Sequence, residues 1–325
     1  MKTYYNRRHH WHVRIRDGGT MNLKRLKYFI NIVDTGSLTQ AAEVLHIAQP
    51  ALSQQVATLE NELDQQLLIR TKRGVTPTEA GKILYTHARI ILRQCEQAQT
   101  AVINAGQAMT GQVSVGFAPG SAAASLTLPL LQTVGEQFPD VVVYLHESSG
   151  ASLNEKVING QLDMAMMYDR APTAGITSIP LMKEELCLVG TGPCPGQSID
   201  LADVAEMAMF LPQDYSAVRK RVDEAFALYR LKAHIIGEIE SIATLTAAIS
   251  SGMGVSVLLE SAARKLASST HAWMARITNP TLNLPLSLNY SAKLPLSPSA
   301  QVVKSILLDL LNKPKAEDRE LQLVS

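Results

Sequence analysis

Residues 37–63, SLTQAAEVLHIAQPALSQQVATLENEL, constrain the fold of this chain more than any other stretch. They predict two short helices joined by a tight turn, the second equipped to enter a DNA groove. Gly36 ends whatever precedes. Ser37 with Gln40 three positions on matches a capping box, in which each side chain satisfies an orphan backbone N–H at a helix start. The second helix opens at Gln49-Pro50, where proline is tolerated because its missing N–H would be unpaired anyway. Leu52, Val56, Leu59 and Leu63 recur at steps of four, three and four, which puts them on one buried face. The opposite face carries Gln49, Ser53 and Gln54, short polar side chains able to reach base edges, and glutamine can pair in bidentate fashion with adenine. A solvated face in a helical protein that never touches DNA is the competing reading of these residues.

Leu23, Leu26, Phe29, Ile30 and Val33 predict an amphipathic helix ahead of this pair, enough for a three-helix core. After Leu63, residues 66–70 predict a short strand and 71–75 a turn, together a wing whose basic tip is placed to lie along a phosphate backbone. Residues 21–82 hold seven Lys or Arg against six Asp or Glu, so affinity for DNA must come from where the charges sit. Lys24, Arg25 and Lys27 fall on the first helix and Arg70, Lys72 and Arg73 on the wing, whereas Glu60, Glu62 and Asp64 lie past the reading surface. Such a surface binds phosphate with a modest salt slope.

Thr76-Pro77-Thr78-Glu79 matches a second capping box with proline at the first helical position. Leu84, Ala88, Ile91, Cys95, Ala98, Val102, Ala105 and Met109 then alternate steps of four and three, a heptad seam. Some 30 residues at about 1.5 Å each make a rod of about 45 Å. That is too long to bury in a small domain, and a second copy of the same helix is the expected partner. A monomeric helix packed on its own domain is the alternative. A dimer would supply the two recognition helices that a two-fold operator requires.

From residue 112 the pattern changes to strands and helices in alternation. Strands are expected at 113–118, 141–147 and 163–167, with helices at 126–137 and 152–159. The order returns as helix 218–228, strand 234–240, helix 241–250 and strand 255–259. This predicts two open α/β subdomains with mainly parallel sheets. A strand at 186–189 crosses between them, and strands at 273–278 and 283–290 with a helix at 299–311 return to complete the first. In such sheets ligands gather at the carboxyl ends of the strands, here the cleft. The candidate cleft residues are Ser121, Ser148, Ser149, Phe210 and Pro212, in the loops expected at 119–121, 148–150 and 210–212, with the serines at or near helix starts where hydroxyls and N–H groups hold anions. Serines there also serve as plain N-caps, so a cleft without a ligand is the alternative.

Several functional classes are excluded. No GxSxG, HExxH, P-loop or GxGxxG motif follows a strand, so no enzyme is expected. Cys95, Cys187 and Cys194 form no CxxC pair, which suggests neither a disulfide framework nor a zinc site. Met164, Met166 and Met167 fit a buried strand. Neither a cofactor nor a bound metal is expected. No segment has the roughly 18 uninterrupted apolar residues of a membrane span, and no signal peptide is evident, so a cytoplasmic protein is expected. Residues 1–20 are basic and unpatterned, with His9, His10 and His12 clustered. A disordered or non-native extension is the preferred reading, with Met21 as the functional beginning and a DNA-contacting or metal-binding arm as the alternative.

Residues 37–63, the following LLIRTKRGVTPTEAG, the long helix and the α/β region together resemble the LysR-type transcriptional regulators. The resemblance covers residues 21 to about 312. Within that family, RLKYFINIVDTGSLTQAAEVLHIAQPALSQQVATLE and the terminal ELQLVS are similar to regulators of nitrogen assimilation. The implied architecture is an α/β multi-domain chain. It has a winged helix-turn-helix at 21–76, a linker (dimerisation) helix at 77–109 and a periplasmic-binding-protein-like regulatory domain at 112–312. Subdomain I spans about 112–180 and 274–312, subdomain II about 181–273, and a tail follows at 313–325. The resemblance implies binding to interrupted palindromic double-stranded DNA, assembly into dimers and tetramers, activation or repression of transcription, contact with RNA polymerase and a small-molecule effector. By motif position, Ser37, Thr39, Gln49, Pro50, Ser53 and Gln54 would lie at the groove and Arg70, Lys72 and Arg73 near phosphates. Many members carry Arg where this chain has Gln54, which shifts the expectation from guanine toward adenine. Ser121 and Ser149 fall where the family places effector contacts, while the basic residues of acid-binding members are not evident in the cleft loops. A small-molecule sensor or transport-type binding protein using that cleft is the rival function.

Overall fold

The computed structural model describes residues 22–103, 109–168 and 172–312. The expected extension at 1–20, Met21, Ala105 of the heptad seam and the tail at 313–325 lie outside the described residues. The chain divides into two compact units, Met1–Cys95 and Glu96–Ser325.

The first unit contains α1 (Leu23–Thr35), α2 (Leu38–Val44), α3 (Gln49–Leu63), β1 (Leu68–Thr71), β2 (Gly74–Pro77) and the start of α4 (Glu79–Ile103). Its core joins Leu26, Phe29 and Ile30 of α1 to Leu52, Val56 and Leu59 of α3, as the spacing predicts; Ile32 joins them, while Leu23 is exposed. Ser37 caps α2 by accepting from the Gln40 N–H at 3.3 Å. The reciprocal half of the expected box is absent, because the Thr35 hydroxyl takes the Ser37 N–H at 3.4 Å. The start of α4 also differs from expectation. Pro77 pairs with Leu68 as the last residue of β2, and Thr78 rather than Thr76 caps the helix, accepting from the Gly81 N–H at 3.0 Å. Leu84 and Ala88 of the heptad seam are buried in the core of this unit, with Ile91 packed against it. That half of the seam serves its own domain, the alternative to pairing, while Ala98 and Val102 further along are exposed.

The second unit has β3 (Gly111–Phe117), α5 (Ala122–Ser125), α6 (Thr127–Gln137), β4 (Val141–Glu147), α7 (Gly150–Ile158), β5 (Met164–Tyr168) and β6 (Ile176–Gly190). Then come β7 (Ser198–Asp200), α8 (Leu201–Ala205), β8 (Met209–Leu211), α9 (Ala217–Leu228), β9 (Ile235–Glu238), α10 (Ile242–Ser250), β10 (Val255–Leu259), α11 (Glu260–Ser269), β11 (Trp273–Thr278), β12 (Asn283–Ser291) and α12 (Pro298–Asn312). One half runs in the order β4-β3-β5-β12-β6 and the other continues β6-β10-β8-β9. The β3 pairings with β4 and β5 are parallel, as are those of β8 with β9 and β10. β6 is the shared element: its first part pairs with β12 and its last residues with β10 and β11. Every side chain of β5 is buried, including Met164, Met166 and Met167.

β11 does not return to the first half as expected. It pairs antiparallel with β6 from Trp273 opposite Gly190 to Arg276 opposite Cys187, and in parallel with β7, so it belongs to the second half. Its buried Ala275 and Ile277 extend that half's core. The crossing back is made by β12 alone.

Candidate nucleic-acid interface and regulatory cleft

The candidate DNA-reading face is built on α3. With Leu52, Val56 and Leu59 fixed in the core, helical geometry turns Gln49, Pro50 and Gln54 outward, and all three are exposed. Ala48, the N-cap of α3, offers no side-chain cap, which leaves the helix's first N–H groups available to a phosphate oxygen. Thr39 on α2 and Gln49 line one shallow depression together with His46. Ser37 lies at the start of α2 with its hydroxyl engaged as the cap described above.

Ser53 and Arg70 are brought together across the unit. The Arg70 guanidinium donates to the Ser53 hydroxyl oxygen at 2.9 Å. A hydroxyl that accepts from a cation keeps its own proton for an acceptor elsewhere, so Ser53 presents a donor. Arg70 was expected at the phosphates alone; here it supports α3 from the wing. Lys72 and Arg73 form the exposed tip between β1 and β2. Gly74 follows at φ +128°, and a Cβ there would stand 2.7 Å from the Gly36 carbonyl oxygen. That close approach sets the wing against the turn between α1 and α2, where the Val75 N–H also donates to the Gly36 carbonyl at 2.8 Å.

Two charge assignments change. Arg25 is not a free cation: it pairs with Glu62 and donates to Gln55 at 3.1 Å, tying α1 to α3. Glu60 is not a bystander either, because one of its oxygens accepts the N–H groups of Leu67 and Leu68 at 2.8 and 3.2 Å. Arg25's partners lie 30 and 37 residues away and Glu60's seven and eight, past the end of its helix, so no helical pattern reveals them.

The cleft of the second unit is a cavity of about 640 Å³. Ser148, Ser149 and Pro212 line it, as do Pro119 and Gly150. Ser121 and Phe210 do not. Ser121 is 4% exposed; its hydroxyl donates to the Ala118 carbonyl at 2.6 Å and caps α5, the plain N-cap alternative. Phe210 sits in β8, not in a loop, and packs with Cys187, Val189 and Ile249 in a separate core cluster. Sequence reasoning missed Tyr168, Tyr215, Lys220 and Glu240, which line the cavity. Lys220 enters from α9, not from the loops in which basic residues were sought.

Beside Tyr168 lies a buried carboxylate. Glu184 of β6, 3% exposed, takes the Tyr168 hydroxyl, the Ala122 N–H at 3.3 Å and the Ser261 N–H at 2.7 Å. Burial, then the nearby Glu184 charge, pushes the Tyr168 phenol far above its ordinary value, so it stays protonated and donating. These bonds satisfy the acid and join β5, β6 and the starts of α5 and α11. Cys187 is buried, and desolvation followed by Glu260 and Glu185 raises its thiol to about 11, which leaves it an unreactive thiol at neutral pH. Among the described residues no group of three or more His, Cys, Asp or Glu is placed to hold a metal ion, and no helix is long and apolar enough to cross a membrane.

Comparisons with known proteins agree with this geometry. The family model described as bacterial regulatory helix-turn-helix protein, lysR family, matches residues 23–82. The model described as LysR substrate binding domain matches residues 106–312. The nitrogen assimilation regulatory protein nac of Klebsiella aerogenes is 71% identical over 94% of this chain and 100% of its own length. Its counterpart from Escherichia coli K12 is 68% identical over the same shares. Among solved structures, a full-length OxyR variant from Pseudomonas aeruginosa superposes with a TM-score of 0.70 at 23% identity, over 91% of this chain and 96% of that one. Full-length CbnR in complex with its target DNA gives 0.63 at 21% identity, over 90% and 99%.

Proposed function

The chain belongs to the LysR family of bacterial helix-turn-helix regulators, and from that premise we propose that it controls genes of nitrogen assimilation as a sequence-specific DNA-binding regulator. The observation that carries the proposal is the 71% identity to the Klebsiella nac regulator along that protein's whole length. In this reading Gln49, Ser53 and Gln54 of α3 meet base edges in the major groove, and the wing tip follows the phosphate backbone. Two copies joined through α4 would present two such heads to an interrupted palindrome, and dimers would pair into tetramers. Contact with RNA polymerase would turn binding into activation. The cavity at Ser148, Ser149 and Lys220 is where a small effector would be held. Genome-wide mapping of bound DNA with and without nitrogen limitation tests the proposal. Recovery of one two-fold motif upstream of nitrogen-source genes supports it, and sites unrelated to nitrogen genes would refute it.

The wing carries a prediction of its own. Changing Lys72 and Arg73 together to Gln is expected to weaken binding to all DNA sequences. It should also flatten the dependence of log affinity on log salt by about 0.9 per lost phosphate contact, nearly 2 per head. Titrations at several salt concentrations check this, and an unchanged slope would take the wing off the phosphates.

A further inference from the structure

Asp34 occupies the last turn of α1, the negative end of the helix dipole, where a carboxylate is disfavoured. Its partners explain why it is tolerated. The Arg89 guanidinium donates to both Asp34 oxygens at 3.2 and 3.0 Å and to the Tyr85 hydroxyl at 2.7 Å. The Tyr85 hydroxyl in turn donates to Asp34, and the guanidinium stacks on the Tyr85 ring at 5.3 Å from its centroid. Tyr85 and Arg89 are four residues apart and so share one face of α4.

This clamp is the last of three attachments of α4 to the head, after the hydrogen bonds at its start and the apolar packing of Leu84, Ala88 and Ile91 on the core. At the first, the Thr78 N–H donates to the Leu67 carbonyl at 2.9 Å, the Thr78 hydroxyl donates to the Gln66 carbonyl at 2.7 Å, and Gly81 lies directly against Leu67. Apolar packing is non-directional and leaves a helix room to tilt; the two-point ion pair at Asp34 fixes its direction. Over 20 residues of helix, about 30 Å, a tilt of about 7° displaces the axis by roughly 3.7 Å, close to the ~3.4 Å rise of one base pair.

We propose that Asp34, Tyr85 and Arg89 are positioning residues that set the spacing between the two operator half-sites by fixing the angle at which α4 leaves the DNA-binding head. The inference rests on the dimeric reading above, because only a pair of heads joined through α4 measures a spacing. None of the three side chains needs to touch DNA. Two linked heads gain avidity only when their geometry lets both bind at once, so the clamp converts a local ion pair into discrimination between spacers.

The test uses the full chain and an operator selected by the unaltered protein from random duplex DNA. A series of that operator with its spacer changed by −2 to +2 base pairs is titrated, alongside a duplex holding a single half-site. The unaltered protein is expected to favour its own spacer by about 10-fold or more over the neighbours. Arg89→Gln, and separately Asp34→Asn, should reduce that preference to within about 3-fold, with single half-site affinity changed less than about 2-fold. The exchange Asp34→Arg with Arg89→Asp should restore part of it. A variant that keeps the full spacer preference, or loses affinity equally for every duplex including the single half-site, overturns the proposal. A flat series for the unaltered protein would instead overturn the dimeric reading and this inference with it. Circular dichroism of each variant accompanies the titrations, and if one is unfolded the other decides.

Discussion

Gly81→Ala is expected to destabilise the DNA-binding unit by about 3–5 kcal/mol, although helix propensity alone favours alanine at any interior helical position by about 1 kcal/mol. A Cβ at residue 81 would stand 2.1 Å from the Leu67 carbonyl oxygen and 3.1 Å from Pro77 Cβ. Neither neighbour can yield cheaply. Leu67 and Leu68 are each 1% exposed, and both of their N–H groups are held by Glu60. The Leu67 carbonyl is itself the acceptor for Thr78. Relief therefore requires moving α4 off the strand that leads into the wing. Gly135→Ala in α6 is the control, since nothing lies within 4 Å of its missing Cβ; there the change should stabilise by about 0.5–1 kcal/mol. Thermal unfolding, with hydrogen exchange assigning the transition to each unit, should show the head melting at least about 12 °C lower for Gly81→Ala. A shift under about 2 °C would mean that α4 is not seated on Leu67.

The opposite signs at Gly81 and Gly135 illustrate what the sequence withholds. Periodicity exposed α1, α3 and the helical character of α4, because a buried face repeats locally. It also located most of the α/β alternation. It missed α8, whose five residues are too few to show a helical period, and it read β8 as a loop because three residues before Pro212 carry no alternation. It placed a crossing strand at 186–189, the last part of β6, but not the first part that pairs with β12, since that depends on a strand from the opposite part of the chain. The site followed the same division. The outward positions Gln49, Pro50 and Gln54 follow from the phase of the buried leucines. The bond from Arg70 to Ser53, the pairing of Arg25 with Glu62 and the entry of Lys220 into the cavity depend on tertiary contact and leave no local trace. Ser121 and Phe210 show the converse error: a helix start and a segment near a strand end fit a cleft, yet their side chains turn to an N-cap and a core.

Ser53→Ala combined with Gln54→Ala is expected to weaken binding to the selected operator by about 2–6 kcal/mol, from 1–3 kcal/mol for each lost base contact. At the lower end this is about a 30-fold loss in affinity. Affinity for non-specific DNA should change little, because neither side chain carries charge and non-specific binding is supplied by phosphate contacts. Losing the Ser53 hydroxyl also releases Arg70 from its only side-chain hydrogen bond among the described residues, which keeps that cation available to the DNA backbone. The two single variants should separate by chemistry. Ser53 accepts from Arg70 and so offers a proton, which suits an acceptor such as guanine N7 or O6 or thymine O4. Gln54 offers both a donor and an acceptor, the bidentate pattern that adenine presents in the major groove. Selection from random DNA should therefore lose preference at different positions for the two variants, and Gln54→Arg should exchange an adenine for a guanine at the position Gln54 reads. Equal losses on specific and non-specific DNA would mean that this face of α3 does not read bases and that specificity arises elsewhere in the head.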